Sequence, residues 1–318
     1  MSEYRWRGNY AALHKNDEGG YFLDSNNLRC ALTLLRANDI GGAVCTNEVF
    51  AEYTDIYVQP RAETEMYRGV IDSKKHAVIL ECKELEKTRA GFIIEGERLI
   101  KRALNDKLML KSIIYSPKST LETDGYIKKA NCPCYLSGEG IISAVTSSKP
   151  VPSEIAACIM PRYGLEALLY GEYVSILITD CVNNPDNLGL VIRTADACGA
   201  DAVIVTGKGA APYHKNCVRA SRGAVGRLPT LYFNDGITVA AELKAAGVKI
   251  IGTSANAEVM LGGIETPKKF AAVVGNETFG MSEEMREICD ITLKIDMARG
   301  QSSFNVGVAA GIILNRLT

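Results

Sequence analysis

The 318-residue sequence lacks several features that would assign a class at once, and each gap excludes something. No stretch approaches the ~20 apolar residues that a membrane-spanning helix needs. The opening residues Met1–Tyr10 (MSEYRWRGNY) lack the apolar core of a secretory leader. A cytoplasmic protein with no membrane partner is therefore expected. An excess of one charge is also missing, since 36 Lys and Arg face 37 Asp and Glu for a formal net charge of −1. Phosphate-binding proteins usually carry a basic footprint, so the sum alone argues mildly against nucleic acid. The ten cysteines and three histidines (His14, His76, His214) form no C-x-x-C, H-x-x-x-H or H-E-x-x-H pattern. The tightest pair, Cys132 and Cys134, flanks Pro133, whereas structural zinc needs four ligands, usually in two close pairs. No metal is expected, and the cysteines read as reduced, mostly buried apolar residues. No G-x-G-x-x-G follows an expected strand, and Gly207-Lys208-Gly209 is too short a match. That removes a dinucleotide-dependent oxidoreductase.

What remains is an ordinary globular composition, 47% hydrophobic and 23% charged, long enough for two domains and a small third piece. Residues 1–70 hold 7 Lys and Arg against 10 Asp and Glu, while residues 71–132 hold 13 against 9. The modest basic excess thus sits in the second segment, where an ordinary solvated surface explains it as well as RNA binding does. Within 1–70, Asn26–Ala37 has helical spacing and stops before Gly41-Gly42, and the segment otherwise carries no motif. Residues 71–165 read as a small α/β unit: a strand at Gly91–Gly96, a helix over Glu97–Leu108, and strands at Lys111–Tyr115, Cys134–Leu136 and Ala156–Met160. Pro150, Pro152 and Pro161 punctuate the chain before a boundary at 162–172. From 173 the alternation is regular. Strands are expected at Val174–Thr179, Asp201–Val205, Lys249–Thr253 and Ala271–Val274, and helices at Leu188–Cys198, Val239–Ala246, Ser282–Cys289 and Val306–Leu317. This pattern specifies a doubly wound parallel α/β domain over 172–318.

Chemistry concentrates in three segments of that domain. Asn187-Leu188-Gly189 lies at a strand-to-helix entry, where free N–H groups can hold an anion or a ribose, or where Asn187 is simply a cap. Arg193 follows on the helix; its planar fork suits a phosphate, and a surface ion pair is the plain alternative. Gly275-Asn276-Glu277 follows a buried strand, so the glycine admits a close ligand or forms a tight turn, and a buried Glu277 would need a partner. Ser302-Ser303-Phe304-Asn305 precedes an apolar helix, as a cap or as part of a site.

Taken in order, Asp180–Gly199 (DCVNNPDNLGLVIRTADACG), Val274–Glu284 (VGNETFGMSEE) and Ile295–Ala310 (IDMARGQSSFNVGVAA) resemble the three signature motifs of the SpoU (TrmH) class of SPOUT RNA methyltransferases. Arg219–Ala224 resembles a further recurring segment of that class. Phe92–Leu104 (FIIEGERLIKRAL) is similar to the start of the L30e-like RNA-binding domain that precedes many such catalytic domains. The resemblance covers roughly 71–318 and leaves 1–70 as an extension of unknown role. It implies S-adenosylmethionine-dependent methylation of a ribose 2′-hydroxyl in structured RNA, ribosomal RNA before tRNA; a non-catalytic RNA-binding or ribosome-assembly protein on the same fold is the rival. It assigns catalysis to Arg193, Asn187, Glu277, Ser303 and Asn305. It assigns cofactor contacts to Thr253, Gly275, Asn276, Glu277, Ile295, Met297, Phe304 and Asn305. It also implies a homodimer through the catalytic domain and a C-terminal trefoil knot, where periodicity alone leads to an unknotted sheet. Two residues depart from the class: Asp296 stands where proline is usual, and Phe304 where leucine is.

Overall fold

The computed structural model describes residues 2–6, 9–15, 21–38, 44–45, 68–88, 90–146, 148–298 and 303–318. Contacts divide the chain into two units, residues 1–54 with 162–318 and residues 55–161.

The first unit opens with a four-stranded sheet. Strands β1 (Ser2–Trp6), β2 (Asn9–Lys15) and β3 (Tyr21–Ser25) form an antiparallel meander, and β4 (Val44–Cys45) joins β3 in parallel after the helix Leu28–Asn38. Leu28, Ala31, Leu32 and Leu35 make one buried helical stripe, and the helix packs on β1, β2 and β3. The helix starts at Leu28 because Asn27 caps it, its Oδ1 accepting from the Cys30 N–H at 3.0 Å. The three meander strands were not legible in the sequence. β1 and β3 have five residues each, and the apolar runs of β2 and β3, Tyr10–Leu13 and Tyr21–Leu23, are four and three residues long.

In the second unit the described residues from 68 onward form a mixed five-stranded sheet. It comprises β5 (Arg68–Ile71), β6 (Gly91–Glu95), β7 (Leu110–Tyr115), β8 (Cys134–Ser137) and β9 (Glu154–Ile159), in the order β5-β8-β7-β9-β6. β5, β8 and β7 run parallel, and β9 is antiparallel to β7 and β6. Ile79 and Cys82 of the helix Ala77–Thr88 bury against Ile114 and Ile155 of the sheet and against Ile142.

The larger sheet of the first unit is parallel throughout. Its strands are β10 (Val174–Asp180), β11 (Ala202–Thr206), β12 (Thr230–Phe233), β13 (Lys249–Thr253), β14 (Val259–Met260), β15 (Lys269–Val274) and β16 (Ile291–Lys294). The order is β12-β11-β10-β15-β13-β16-β14. All residues of β10 and β11 are buried, which is why these strands read as apolar runs: both faces are covered. The order runs outward from β10 to β12 and then resumes on the other side of β10. The order reverses between β10 and β15, and in open α/β sheets the carboxyl ends of the strands at such a point are where ligands bind. The helix Pro185–Cys198 packs on the helices Lys215–Ala220 and Val306–Leu317. β13 and the last helix have the bounds the sequence predicts, whereas β12, β14 and β16 escaped it, being no longer than four residues each.

The N-terminal layer is tied to this sheet by buried polar contacts. Asn27 Nδ2 donates to Asp201 Oδ1 at 3.2 Å, and Asp201 Oδ2 accepts from the Ser175 N–H and Oγ at 2.8 and 2.9 Å. Asn9 Nδ2 donates to the Tyr173 carbonyl at 2.7 Å. Among the described residues, no helix is long and apolar enough to cross a membrane.

Candidate active site

Two loops leave the carboxyl ends of the neighbouring strands β10 and β15. β10 ends at buried Asp180, whose Oδ2 accepts from the Ser282 N–H and Oγ at 2.7 and 2.8 Å. Ser282 in turn caps the helix Glu283–Ile288 through the Met285 N–H. The far end of the 275–282 loop is thereby fastened to β10. Its near end closes on itself, because Asn276 and Gly280 exchange backbone hydrogen bonds of 2.8 and 3.0 Å. Asn276 Oδ1 accepts from the Thr278 and Phe279 N–H groups, and its Nδ2 donates to the Cys181 carbonyl at 2.8 Å. A Cβ at Gly275 would lie 2.1 Å from the Gly280 carbonyl carbon and the Met281 nitrogen, so the close approach that demands glycine here is made by the loop's own backbone.

Glu277 points from this loop to the start of the helix Pro185–Cys198. Its carboxylate accepts from the Asn183 and Asn184 N–H groups, both at 3.1 Å, and from Asn187 Nδ2 at 3.0 Å. Partial burial opposes its charge, but the Asn187 amide and the helix-entry N–H groups outweigh that and hold the carboxyl below its ordinary range. The positive end of the helix acts in the same sense. Asn187 Oδ1 accepts from Asn305 Nδ2 at 3.0 Å, and Asn305 Oδ1 caps the last helix through the Gly307 N–H at 2.9 Å. One hydrogen-bonded chain, Glu277–Asn187–Asn305, thus joins residues from all three motif segments.

The sequence reading of the helix entry needs a correction. The helix begins at Pro185, and its cap is Asn184, which accepts from the Asp186 N–H at 2.8 Å. Asn187 lies inside the first turn, with its side chain engaged at both ends. The N–H groups of Asn183 and Asn184 are taken by Glu277, so they are not free for an anion. Gly189 serves helix packing, since a Cβ there would come 2.5 Å from the Cys217 carbonyl oxygen. Asp180, Asn183 and Asn184 were not singled out as site residues; the Asn-Asn-Pro run, a cap before proline at the first helical position, was the available signal.

The other expected residues fall around this chain. Arg193 is exposed on the same helix, six residues past Asn187, and among the described residues it has no hydrogen bond or ion pair. Ser303 is exposed beside Phe304 and Asn305; Ser302 lies outside the described residues. Thr253 ends β13, its hydroxyl donating to the Val273 carbonyl at 2.8 Å. Ile295 and Met297 follow β16 and are half-buried, and Phe304 is 41% exposed. β15, β13 and β16 are consecutive neighbours in the sheet, so Gly275, Thr253 and Ile295 emerge at one end of it. Among the described residues no His, Cys, Asp and Glu cluster suits a metal.

The profile of the SpoU rRNA Methylase family matches residues 175–315. The 23S rRNA (guanosine(2553)-2'-O)-methyltransferase RlmP of Bacillus subtilis (strain 168) is 33% identical over 253 residues, covering 78% of this chain and 98% of that protein. The 23S rRNA (uridine(2479)-2'-O)-methyltransferase of Streptomyces viridochromogenes is 28% identical over 238 residues, covering 72% of this chain and 83% of that one. Among solved structures, an AdoMet-bound rRNA methyltransferase from Sinorhizobium meliloti is similar with a TM-score of 0.68 at 26% identity, covering 79% of this chain and 97% of that one.

Proposed function

Because the chain belongs to the SpoU rRNA methylase family and is an S-adenosylmethionine-dependent RNA ribose 2′-O-methyltransferase, we propose that ribosomal RNA is its substrate and that Asn187, Arg193, Glu277, Ser303 and Asn305 form its active site. The relatives named above, both of which act on 23S rRNA, support the substrate. The observation that carries the site is the Glu277–Asn187–Asn305 chain, which links the three motif segments at the reversal point of the sheet. The ends of β15, β13 and β16 suit the cofactor. Half-buried Ile295 and Met297 and part-exposed Phe304 offer an apolar surface for adenine, next to the Gly275 and Asn276 backbone. Thr253, Gly275, Asn276, Glu277, Ile295, Met297, Phe304 and Asn305 would hold it.

The bound cofactor supplies a methyl group on a sulfonium, and the protein's task is to align the ribose and assist loss of the 2′-hydroxyl proton. Glu277, kept ionised, fixes the Asn187 amide, and Asn187 fixes Asn305. Arg193 holds its own proton too tightly to act alone as a base. Its open guanidinium instead grips a substrate phosphate and orients the ribose, and the exposed Ser303 hydroxyl beside Asn305 can accept the 2′-hydroxyl proton while giving up its own to solvent water. The test is methyl transfer to ribosomal RNA and to tRNA by wild type and Arg193→Ala. The expected loss for Arg193→Ala is about 100-fold or more, the scale of misaligned reacting groups. Undiminished transfer would remove Arg193 from the site, and transfer to tRNA alone would overturn the substrate.

The same reading makes residues 71–165 an L30e-like RNA-binding domain, supported by the Phe92–Leu104 segment, and residues 172–318 the catalytic domain with the family's trefoil knot. It makes the protein a cytoplasmic homodimer through the catalytic domain. The last helix supports the dimer by keeping Val308 47% exposed on an apolar element.

A further inference from the structure

Phe279 is 84% exposed, more than any other large hydrophobic residue among those described. Its exposure does not come from a loose segment. Its own N–H is bound by Asn276 Oδ1 at 3.1 Å, the Asn276–Gly280 pair closes the turn beneath it, and Gly280 completes that turn with φ +73°. Two residues earlier, Glu277 fixes the same turn to Asn183, Asn184 and Asn187. The loop is anchored on its other side by buried Met281 and Met285, so the phenyl ring adds nothing to its own core. A rigid turn therefore presents an aromatic face to solvent beside the Glu277–Asn187–Asn305 chain.

Such a ring suits one kind of substrate group. The loop carries a carboxylate and no cation, which disfavours phosphate. An unstacked nucleobase, by contrast, offers a flat π-face, and single-stranded RNA is held by stacking on aromatic side chains. We propose that Phe279 stacks on a base of the substrate RNA, at the target nucleotide or its neighbour, and is thus a positioning and specificity residue for the methylation. This rests on the active-site reading above. The rival, in which the ring is a contact between two copies of the chain, is an outcome of the test.

The test uses the full chain and a transcript of large-subunit ribosomal RNA. Methyl transfer is measured against RNA concentration for wild type, Phe279→Ala, Phe279→Leu, Phe279→Tyr and Phe279→Trp. Binding of the same transcript is measured without cofactor, with AdoMet affinity by calorimetry and mass by light scattering. For Phe279→Ala the expected result is an RNA KM raised about 5- to 150-fold, the worth of one base–aromatic stack. AdoMet affinity and molecular mass should stay unchanged. The two aromatic replacements should restore RNA affinity and Phe279→Leu should not, since apolar area alone cannot stack. An unchanged KM for Phe279→Ala, full rescue by leucine, or a change in mass would each overturn the inference. Failure of the active-site reading shows separately, as an active Arg193→Ala beside a Phe279→Ala that still binds RNA weakly.

Discussion

Glu277 illustrates how one exposed carboxylate can organise a site when its partners are directional. It accepts from two main-chain N–H groups and one side-chain amide, and each of these hydrogen bonds is stronger when the carboxylate is charged. Its pKa is lowered in the folded protein, so the stabilisation is present above the unfolded value, about 4.3, and is lost as pH falls through the folded value. Glu277→Gln should therefore melt below wild type at neutral pH, with the gap closing below about pH 4.3. Thermal melts between neutral and acidic pH check this, and a gap unchanged in acid would mean that ionisation does not hold the loop to the helix. Arg193 contrasts with Glu277. It has no partner among the described residues, so its substitution should cost activity with little change in melting temperature.

At the scale of elements, the loop after β15 is set by backbone proximity more than by side-chain bulk. A methyl group at Gly275 would collide with main-chain atoms 2.1 Å away, which cannot rotate aside. Gly275→Ala should destabilise the protein by roughly 1–3 kcal/mol, as overpacked sites do, and weaken AdoMet binding through the displaced loop. Melting curves and calorimetry on one preparation check both, and unimpaired binding would remove the loop from the cofactor site. The last helix approaches the site-bearing helix in a similar way: a Cβ at Gly307 would come 2.6 Å from Leu190 Cγ. That contact brings Asn305, at the start of the last helix, within reach of Asn187.

At the scale of the whole molecule, residues 1–54 group with the catalytic sheet and not with the segment that follows them. Asn27 shows the cost of separating them, because one side chain caps its own helix and donates to Asp201 near the opposite end of the sheet from the site. Asn27→Ala should lower stability by about 1–2 kcal/mol, from a lost cap and a weakened buried hydrogen bond. Asn27→Asp keeps the cap but places a second carboxylate beside Asp201, so its deficit should grow as pH rises through the carboxylate range. Melts of the two variants at pH 4 and pH 7.5 separate these effects. An Asn27→Asp variant as stable as wild type at pH 7.5 would mean that the Asp201 contact does not bind the N-terminal layer.

Local pattern in the sequence was enough for the parallel core and for the order of the three motif segments. Long apolar runs such as Val174–Asp180 are read from period and length alone, and the last helix came out with its observed bounds. The residue types of the proposed site stand out for the same reason, since Asn187, Glu277 and Asn305 are polar residues next to glycine turns and helix starts. The tertiary structure decided what those residues do to one another. Glu277 and Asn187 are 90 positions apart, and Asn187 and Asn305 are 118 apart. Only the tertiary arrangement, which sets β15 beside β10 and returns the last helix onto the helix Pro185–Cys198, puts them within 3.0 Å. The short strands and the N-terminal meander were hidden because pairing with neighbours stabilises them, and pairing leaves no local signature where the apolar run is four residues or fewer.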